Sequence, residues 1–303
     1  MTEFTILQQK MSDFSASFPW KTNEPMSRHT SFRIGGEAEI FVQPKTAWEL
    51  SQALRCASQL GIRPAILGAG TNVLAPDAGM AGMVICLKDC LDGMERMDQT
   101  HIRVMAGVTM TRAAVFAANA GLAGMEFAHG IPGTVGGGVF MNAGAYGGEM
   151  KDIVESVEIM DLDGNVRSLT NDEMGFSYRH SRLEDSGEIV VSAVLRLTAG
   201  DTDAIRAKMK ELQEKRSASQ PLDMPSAGSA FKRPAQGYAA ALIDQTGLKG
   251  YRVGGAAIST KHAGFAVNLG GATAEDVKRL LAQVSDLVFE KQGIRLEPEV
   301  RIW

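Results

Sequence analysis

Gly130-Ile131-Pro132-Gly133-Thr134-Val135-Gly136-Gly137-Gly138, running on through Val139 and Phe140 into Met141-Asn142-Ala143-Gly144-Ala145-Tyr146-Gly147-Gly148, decides how the chain is read. Glycine loses more conformational freedom on folding than any other residue, so a globular protein rarely gathers so many at one place. Ile131, Val135, Val139, Phe140 and Met141 are interleaved among them. Those apolar residues point to a packed, ordered segment rather than a flexible loop. A flat cofactor lying against bare backbone explains the pattern best.

Working outward, hydrophobic periodicity gives alternating strands and helices. Residues 38–44 read as a strand. A helix follows over 46–61, with Thr46 as N-cap and Gly61 just past its end. Residues 63–70 read as a short strand entering a second glycine loop, and residues 82–87 as a further strand. This is a modest α/β unit. A strand over 102–108 leads to a helix that stops at Gly121. Asp163-Gly164, flanked by alternating apolar residues, predicts a hairpin. Residues 188–197 form another strand, and residues 201–220 a charged helix of a kind that bridges domains or, as commonly, presents a solvated face on a single domain. Beyond Pro221 come a helix over 238–247, strands at 256–259 and 264–269, and a long helix over 273–293. Residues 296–303 read as a closing strand. At the other end Phe4, Ile6, Leu7, Met11 and Phe14 suggest one amphipathic helix in the stretch reaching Ser27.

Composition narrows the function classes. A net charge of −4 argues against non-specific nucleic-acid binding, which needs a basic footprint. No window approaches the roughly 20 uninterrupted apolar residues of a membrane span, and the first residues lack the apolar core of a signal peptide. A cytoplasmic protein is expected. Cys56, Cys86 and Cys90 make no paired metal motif and read as reduced, buried hydrophobes. No metal site is expected, and the absence of G-x-S-x-G removes the usual serine-hydrolase reading.

The second glycine loop is Gly68-Ala69-Gly70-Thr71-Asn72-Val73. It begins like a dinucleotide-binding fingerprint, but Val73 stands at the third glycine position and no helix pattern follows. A Rossmann phosphate turn needs both. What remains is a tight loop that, taken alone, reads as an ordinary strand-end turn, and whose backbone N–H groups, with Thr71 and Asn72, could also cradle a pyrophosphate.

GAGTNVL (68–74, preceded by Leu67), GIPGTVGGGVFMNAGAYGG (130–148), YRHS (178–181), SAGSAFKRP (226–234) and LEPEVRIW (296–303) occur in the order seen in UDP-N-acetylenolpyruvoylglucosamine reductases, the MurB family. From about His29 to the C-terminus the chain resembles that family. The resemblance implies an α+β protein: an FAD-binding unit of two α/β subdomains, like that of vanillyl-alcohol-oxidase (PCMH-like) flavoproteins, plus a C-terminal α+β substrate-binding domain. The corresponding boundaries are 1–92, closed by a C-terminal strand 297–303; 93–203; and 218–296.

The resemblance also implies the chemistry. NADPH would reduce FAD, which would pass the hydride to enolpyruvyl-UDP-N-acetylglucosamine and yield UDP-N-acetylmuramate for peptidoglycan synthesis. Arg179 corresponds to the arginine that holds the substrate carboxylate, which suits a permanently charged, two-pronged guanidinium. Ser229 corresponds to the proton donor and would need a positive neighbour such as Lys232. Glu299 corresponds to the acid beside the developing enolate and would need a raised pKa to donate a hydrogen bond. Glu297 is its rival, because alternation puts both on one strand face.

FAD would be held by Gly68, Gly70, Thr71, Asn72, Val73, Gly130, Ile131, Pro132, Gly133, Gly136, Gly137, Asn142, Ala143 and Gly144, and substrate by Tyr178, Lys232 and Arg233. The short segment between Arg179 and Ser229 resembles the shorter form of the family. Arg233 stands where members often carry asparagine, and Ser219 where they carry lysine. Arg233 or Lys215 would then supply the missing diphosphate contact. Another FAD-linked oxidase or reductase, or a non-catalytic flavin-binding protein, is the alternative. The sequence sets neither the oligomeric state, for which a monomer suffices, nor NADPH over NADH.

Overall fold

The computed structural model describes Met11 and residues 18–303. The chain divides into two compact units: Met1–Asn23, Glu39–Ala69 and Ala81–Lys215 form one, and Glu24–Ala38, Gly70–Met80 and Arg216–Trp303 the other. The division falls inside the charged helix Thr202–Ser219. Of the expected N-terminal helix, all but Met11 lies outside the described residues up to residue 17. Its reach toward Ser27 was too long, because Trp20–Pro25 is a strand and Met26–Arg28 a single 3₁₀ turn. Met11 is fully buried, with its sulfur 3.5 Å from Cys56 Sγ.

The first unit contains an antiparallel five-stranded sheet in the order Val166–Thr170, Val154–Met160, Ile189–Arg196, His101–Met105, Met94–Arg96. The expected hairpin closes at Asp163-Gly164, where Gly164 takes φ +80°. The Asp161 carboxylate collects the amides of Asp163 and Asn165 at 2.9 and 2.8 Å. Bonds from the Asn165 side chain and then its backbone hold Asp161 below the usual carboxylate range. A smaller sheet carries Ala65–Leu67 parallel to Met80–Cys86.

The helices that cover these sheets start where a threonine can accept an orphan amide. Thr46 caps Ala47–Gln59 through Glu49 N at 3.1 Å, and Thr109 caps Met110–Asn119 through Arg112 N at 3.3 Å. Each buries one stripe at helical spacing: Leu50, Ala53, Leu54 and Ala57 in the first, Met110, Ala113, Ala114 and Ala117 in the second. Gly61 and Gly121, both at φ +68°, end the two runs.

The second unit is a four-stranded antiparallel sheet, ordered Ser226–Ser229, Phe265–Asn268, Ala256–Ile258, Arg252–Val253. Helices Ala239–Gln245 and Ala274–Gln292 supply Leu242, Ile243, Val277, Leu280, Leu281, Val284 and Val288 to its core. The longer helix opens with a reciprocal cap between Thr273 and Asp276 and stops at Gly293, φ +70°. Each fully buried Leu or Val contributes about 2 kcal/mol. The closing strand is shorter than residues 296–303: only Arg301–Ile302 pairs, in parallel with Val73–Leu74. The strand at Val73–Leu74 is also why no Rossmann phosphate turn forms there.

All three cysteines are buried and free. Burial pushes the thiols of Cys56 and Cys86 up to about 11 and raises that of Cys90. The thiolate is the reactive form. The native protein should therefore leave Cys56 and Cys86 unmodified by an aromatic disulfide reagent at pH 8, and denaturant should release all three. Rapid native labelling of either would contradict this burial.

Candidate functional site

In the first unit the glycine segment is a scaffold with one open side. Thr134, itself buried, accepts from Gly137 N at 3.3 Å and so caps the short helix Val135–Phe140. The strand-end carbonyls of Val108 and Ala106 take the amides of Val135 and Gly136 at 2.8 and 2.9 Å, and Met110 N returns to Gly133 O at 3.0 Å. Contact is close enough that side chains are excluded. A Cβ on Gly136 would lie 2.9 Å from the Ala106 Cβ, one on Gly138 2.8 Å from Met110 Sδ, and one on Gly68 2.6 Å from Thr134 Oγ1.

Gly136 and Gly138 thus serve packing, while Gly137 and Pro132 face outward. Gly130 is fixed by the Thr111 hydroxyl, 3.2 Å from its amide, and Ile131 N by Ala128 O at 3.0 Å. Next to Gly130, His129 Nδ1 is buried and meets no hydrogen-bond partner among the described residues.

The segment continues into a two-residue hairpin, Gly144–Ala145 with Gly148–Glu149. Its turn residues Tyr146 and Gly147 both have positive φ, +54° and +89°, as the twist of a tight hairpin demands. Gly144 is required because a Cβ would sit 2.7 Å from both Gly148 O and Glu149 Cβ. Ala143 is pinned through its backbone to Gly138 O and Met150 N. The Asn142 side chain makes three bonds within the protein. Its Nδ2 donates to Glu149 Oε2 at 2.8 Å and Ser177 O at 3.0 Å, and its Oδ1 accepts from Lys151 N at 2.9 Å.

Arg179 sits in a closed turn, Ser177-Tyr178-Arg179-His180, whose end residues exchange backbone bonds of 3.1 and 3.2 Å. It is half-buried and left-handed, φ +55°, at the position where such turns prefer glycine. Tyr178 is exposed, and the guanidinium lies 5.1 Å from its ring centroid.

In the second unit Gly70 is buried at φ +63°, and a Cβ there would fall 2.0 Å from His29 O. Ser31 N donates to Gly70 O at 3.0 Å. The Asn72 side chain donates to Glu299 O at 3.1 Å, and Asn72 O accepts from Arg301 N at 3.0 Å. That loop therefore holds the acidic C-terminal segment directly.

Ser229 ends its strand after a bulge: between Ser226↔Val267 and Ser229↔Phe265 the register shifts, at Gly228 with φ +74°. Bulges of this kind re-aim a side chain, and Ser229 is left exposed. Ala230 O accepts from Glu299 N at 2.9 Å and Lys232 N donates to Glu297 O at 2.8 Å, so Ser229 and Glu299 stand on adjoining stretches of chain. The two acids differ in their surroundings. Glu297 is exposed and ion-pairs with Lys232, whereas Glu299 is half-buried. Arg233 stacks over Tyr238, 4.1 Å from the ring centroid.

Two family models match: the FAD binding domain over residues 38–170, and the C-terminal domain of UDP-N-acetylenolpyruvoylglucosamine reductase over residues 220–303. The UDP-N-acetylenolpyruvoylglucosamine reductase of Caldanaerobacter subterraneus subsp. tengcongensis is 45% identical over 297 residues, covering 98% of both chains. That of Latilactobacillus sakei is 45% identical over 284 residues, covering 93% of this chain and 92% of its own. The crystal structure of MurB from Thermus caldophilus superposes with a TM-score of 0.80 at 37% identity, covering 94% of this chain and 98% of that one. The chain belongs to the MurB family.

For a MurB-family chain the residues present fit FAD. Side chains are excluded where the backbone must approach, the outer face of the glycine segment is bare, and a buried ring nitrogen beside Gly130 awaits a partner. Sequence reading missed the parts that only shape the site. Thr134 before a glycine run is a legible N-cap signal, and Gly228 before Ser229 a legible bulge signal. Ser181, whose buried hydroxyl donates to Phe140 O at 2.7 Å, carries no sequence signal of its own.

Gly70→Ala should be severe, since alanine meets both a strained φ and the His29 carbonyl. Incompatible φ alone costs about 1 kcal/mol or more. We expect a melting temperature several degrees lower and weaker FAD retention; wild-type behaviour in both would contradict the close approach.

Proposed function

We propose that the chain uses NADPH and FAD to reduce enolpyruvyl-UDP-N-acetylglucosamine to UDP-N-acetylmuramate, a step of peptidoglycan precursor synthesis and hence of cell-wall growth, shape and division. The observation that carries this is Arg179, presented in a strained turn hung on the glycine scaffold of an FAD-binding unit. Strained backbone of this sort persists at functional sites. FAD would lie on the bare face of Gly130–Gly137 and against Gly68, Gly70, Thr71, Val73, Ala143 and Gly144. When bound it supplies the relay of a hydride from NADPH to the alkene.

The alkene is conjugated to a carboxylate, so hydride addition at the methylene carbon drives the electron pair toward that carboxylate. Arg179 would grip the carboxylate with two parallel charge-assisted bonds and stabilise the enolate. Glu299 would stand beside the same developing charge. The Ser229 hydroxyl would then deliver its proton to the carboxylate-bearing carbon, and the Gly228 bulge supports this by aiming it outward. Tyr178 lies beside Arg179 and would border the substrate. Lys232 and Arg233 would face the diphosphate, with Arg233 already ordered by stacking on Tyr238. A cytoplasmic location follows from the need for NADPH and a nucleotide sugar. Among the described residues no helix is long and apolar enough to cross a membrane.

Positioned acid–base groups contribute about 10²–10⁴-fold. Ser229→Ala and Glu299→Gln should therefore lower turnover with the enolpyruvyl substrate by at least about a hundredfold while leaving reduction by NADPH alone within a factor of a few. Arg179→Lys should raise KM and lower kcat together. Losses no larger than those of a surface substitution would remove these assignments. Arg233→Ala should raise KM about tenfold with kcat little changed, as loss of one charge-assisted contact predicts; an unchanged KM would exclude Arg233 from the diphosphate.

A further inference from the structure

Three tethers run from the Arg179 turn to one short stretch of the glycine segment. Asn142 Nδ2 donates to Ser177 O at 3.0 Å, at the start of the turn. Ser181 Oγ donates to Phe140 O at 2.7 Å, just past its end. Arg179 Nη2 donates to Gly144 O at 3.4 Å. Asn142 and Ser181 are both fully buried, so their bonds are not exchanged with solvent. Arg179 itself is left-handed at φ +55°, a conformation that a bulky non-glycine residue keeps only when its surroundings over-determine it.

The choice of asparagine at 142 is specific. The backbone there is also left-handed, φ +42°, which asparagine and aspartate tolerate. The site then demands two donors, for Glu149 Oε2 and Ser177 O, and one acceptor, for Lys151 N. An amide meets this set, and in one orientation only. Aspartate has the acceptor but no donor, and would place a second carboxylate against Glu149.

We propose that Asn142 is a positioning residue for Arg179, and that Ser181 is its partner in that role. Asn142 belongs to the segment that would lie against FAD, while its side chain bonds the arginine turn and the neighbouring hairpin. The shape of the FAD segment is thereby transmitted to the arginine that meets the substrate carboxylate. Two of the three tethers hold Ser177 and Ser181 on either side of Arg179, so the strained residue is clamped from both ends. The proposal rests on the reading of Arg179 as the carboxylate-binding arginine.

The test uses Asn142→Asp and Ser181→Ala in the full-length protein, the second because it removes one bond with the least disturbance of the fold. Hydrogen exchange of the peptide containing the Ser177 and His180 amides is measured without substrate. It should accelerate about tenfold or more in both variants, the loosening expected from loss of one buried hydrogen bond, while peptides of the five-stranded sheet stay unchanged. In the same variants KM for the enolpyruvyl substrate should rise and its reduction slow by about tenfold. In Ser181→Ala, reduction by NADPH and FAD retention should stay within about twofold.

Unchanged exchange in the turn would overturn the proposal. So would a parallel loss of FAD, NADPH reduction and protection across the whole unit, which is what a merely structural role gives. If Arg179→Lys slows the substrate step but neither tether variant does, the tethering role falls and the reading of Arg179 stands. If Arg179→Lys leaves that step intact, the reading of Arg179 fails and the proposal fails with it.

Discussion

The segment from Gly130 to Gly138 is packed so tightly on the strand ends at Ala106 and Val108 that its backbone must do the work side chains do elsewhere. The amides of Val135 and Gly136 complete the edge left by the preceding strand, and Thr134 closes the helix that follows. A methyl group at Gly68, Gly136 or Gly138 would push this layer apart. The remaining features of the first unit hang from it. The hairpin at Gly144–Glu149 continues it, and the arginine turn is tied back to Phe140, Asn142 and Gly144. Glycine's entropy loss is large at each of these positions, and it is offset by the buried apolar residues between them.

Backbone strain falls partly in the same places. Among the described residues six non-glycines are left-handed; Asn142, Tyr146 and Arg179 lie on the glycine segment or the turn tied to it, and Asn23, Arg33 and Asp89 lie elsewhere. In the second unit the corresponding device is the Gly228 bulge beside Ser229. Left-handed backbone costs on the order of 1–2 kcal/mol per non-glycine residue. Such a cost persists where neighbouring bonds hold the chain, as the Asn142 amide and the Ser181 hydroxyl do around Arg179. Rigidity at the reacting groups is then a property of the backbone path and is less exposed to side-chain rotation.

Most of the architecture was legible in the sequence because hydrophobic periodicity and caps report local structure. Thr46, Gly61, Gly121, the Asp163-Gly164 turn and the helix over 274–292 are each visible as residue patterns and each occur. The failures have physical reasons. Residues 296–300 alternate like a strand, yet Pro298 and the one-bridge contact with Phe231 leave only Arg301–Ile302 in a regular pair. Strand parity could not separate Glu297 from Glu299, because their difference lies in tertiary partners: Lys232 for one, the Asn72-held backbone for the other. Asn142 sits in the segment read as the cofactor's, and no local pattern says what its side chain bonds: distant or looped-back backbone and Glu149.

One glycine-built FAD unit serves two successive half-reactions, with NADPH as the reductant and the enolpyruvyl sugar nucleotide as the group reduced. Anaerobic titration of the purified yellow protein tests it most directly. One equivalent of NADPH should bleach the visible flavin band, and one equivalent of enolpyruvyl-UDP-N-acetylglucosamine added afterwards should restore it while producing UDP-N-acetylmuramate. A protein that takes up no FAD, or whose bleached flavin is restored by oxygen but not by the enolpyruvyl substrate, would contradict the account.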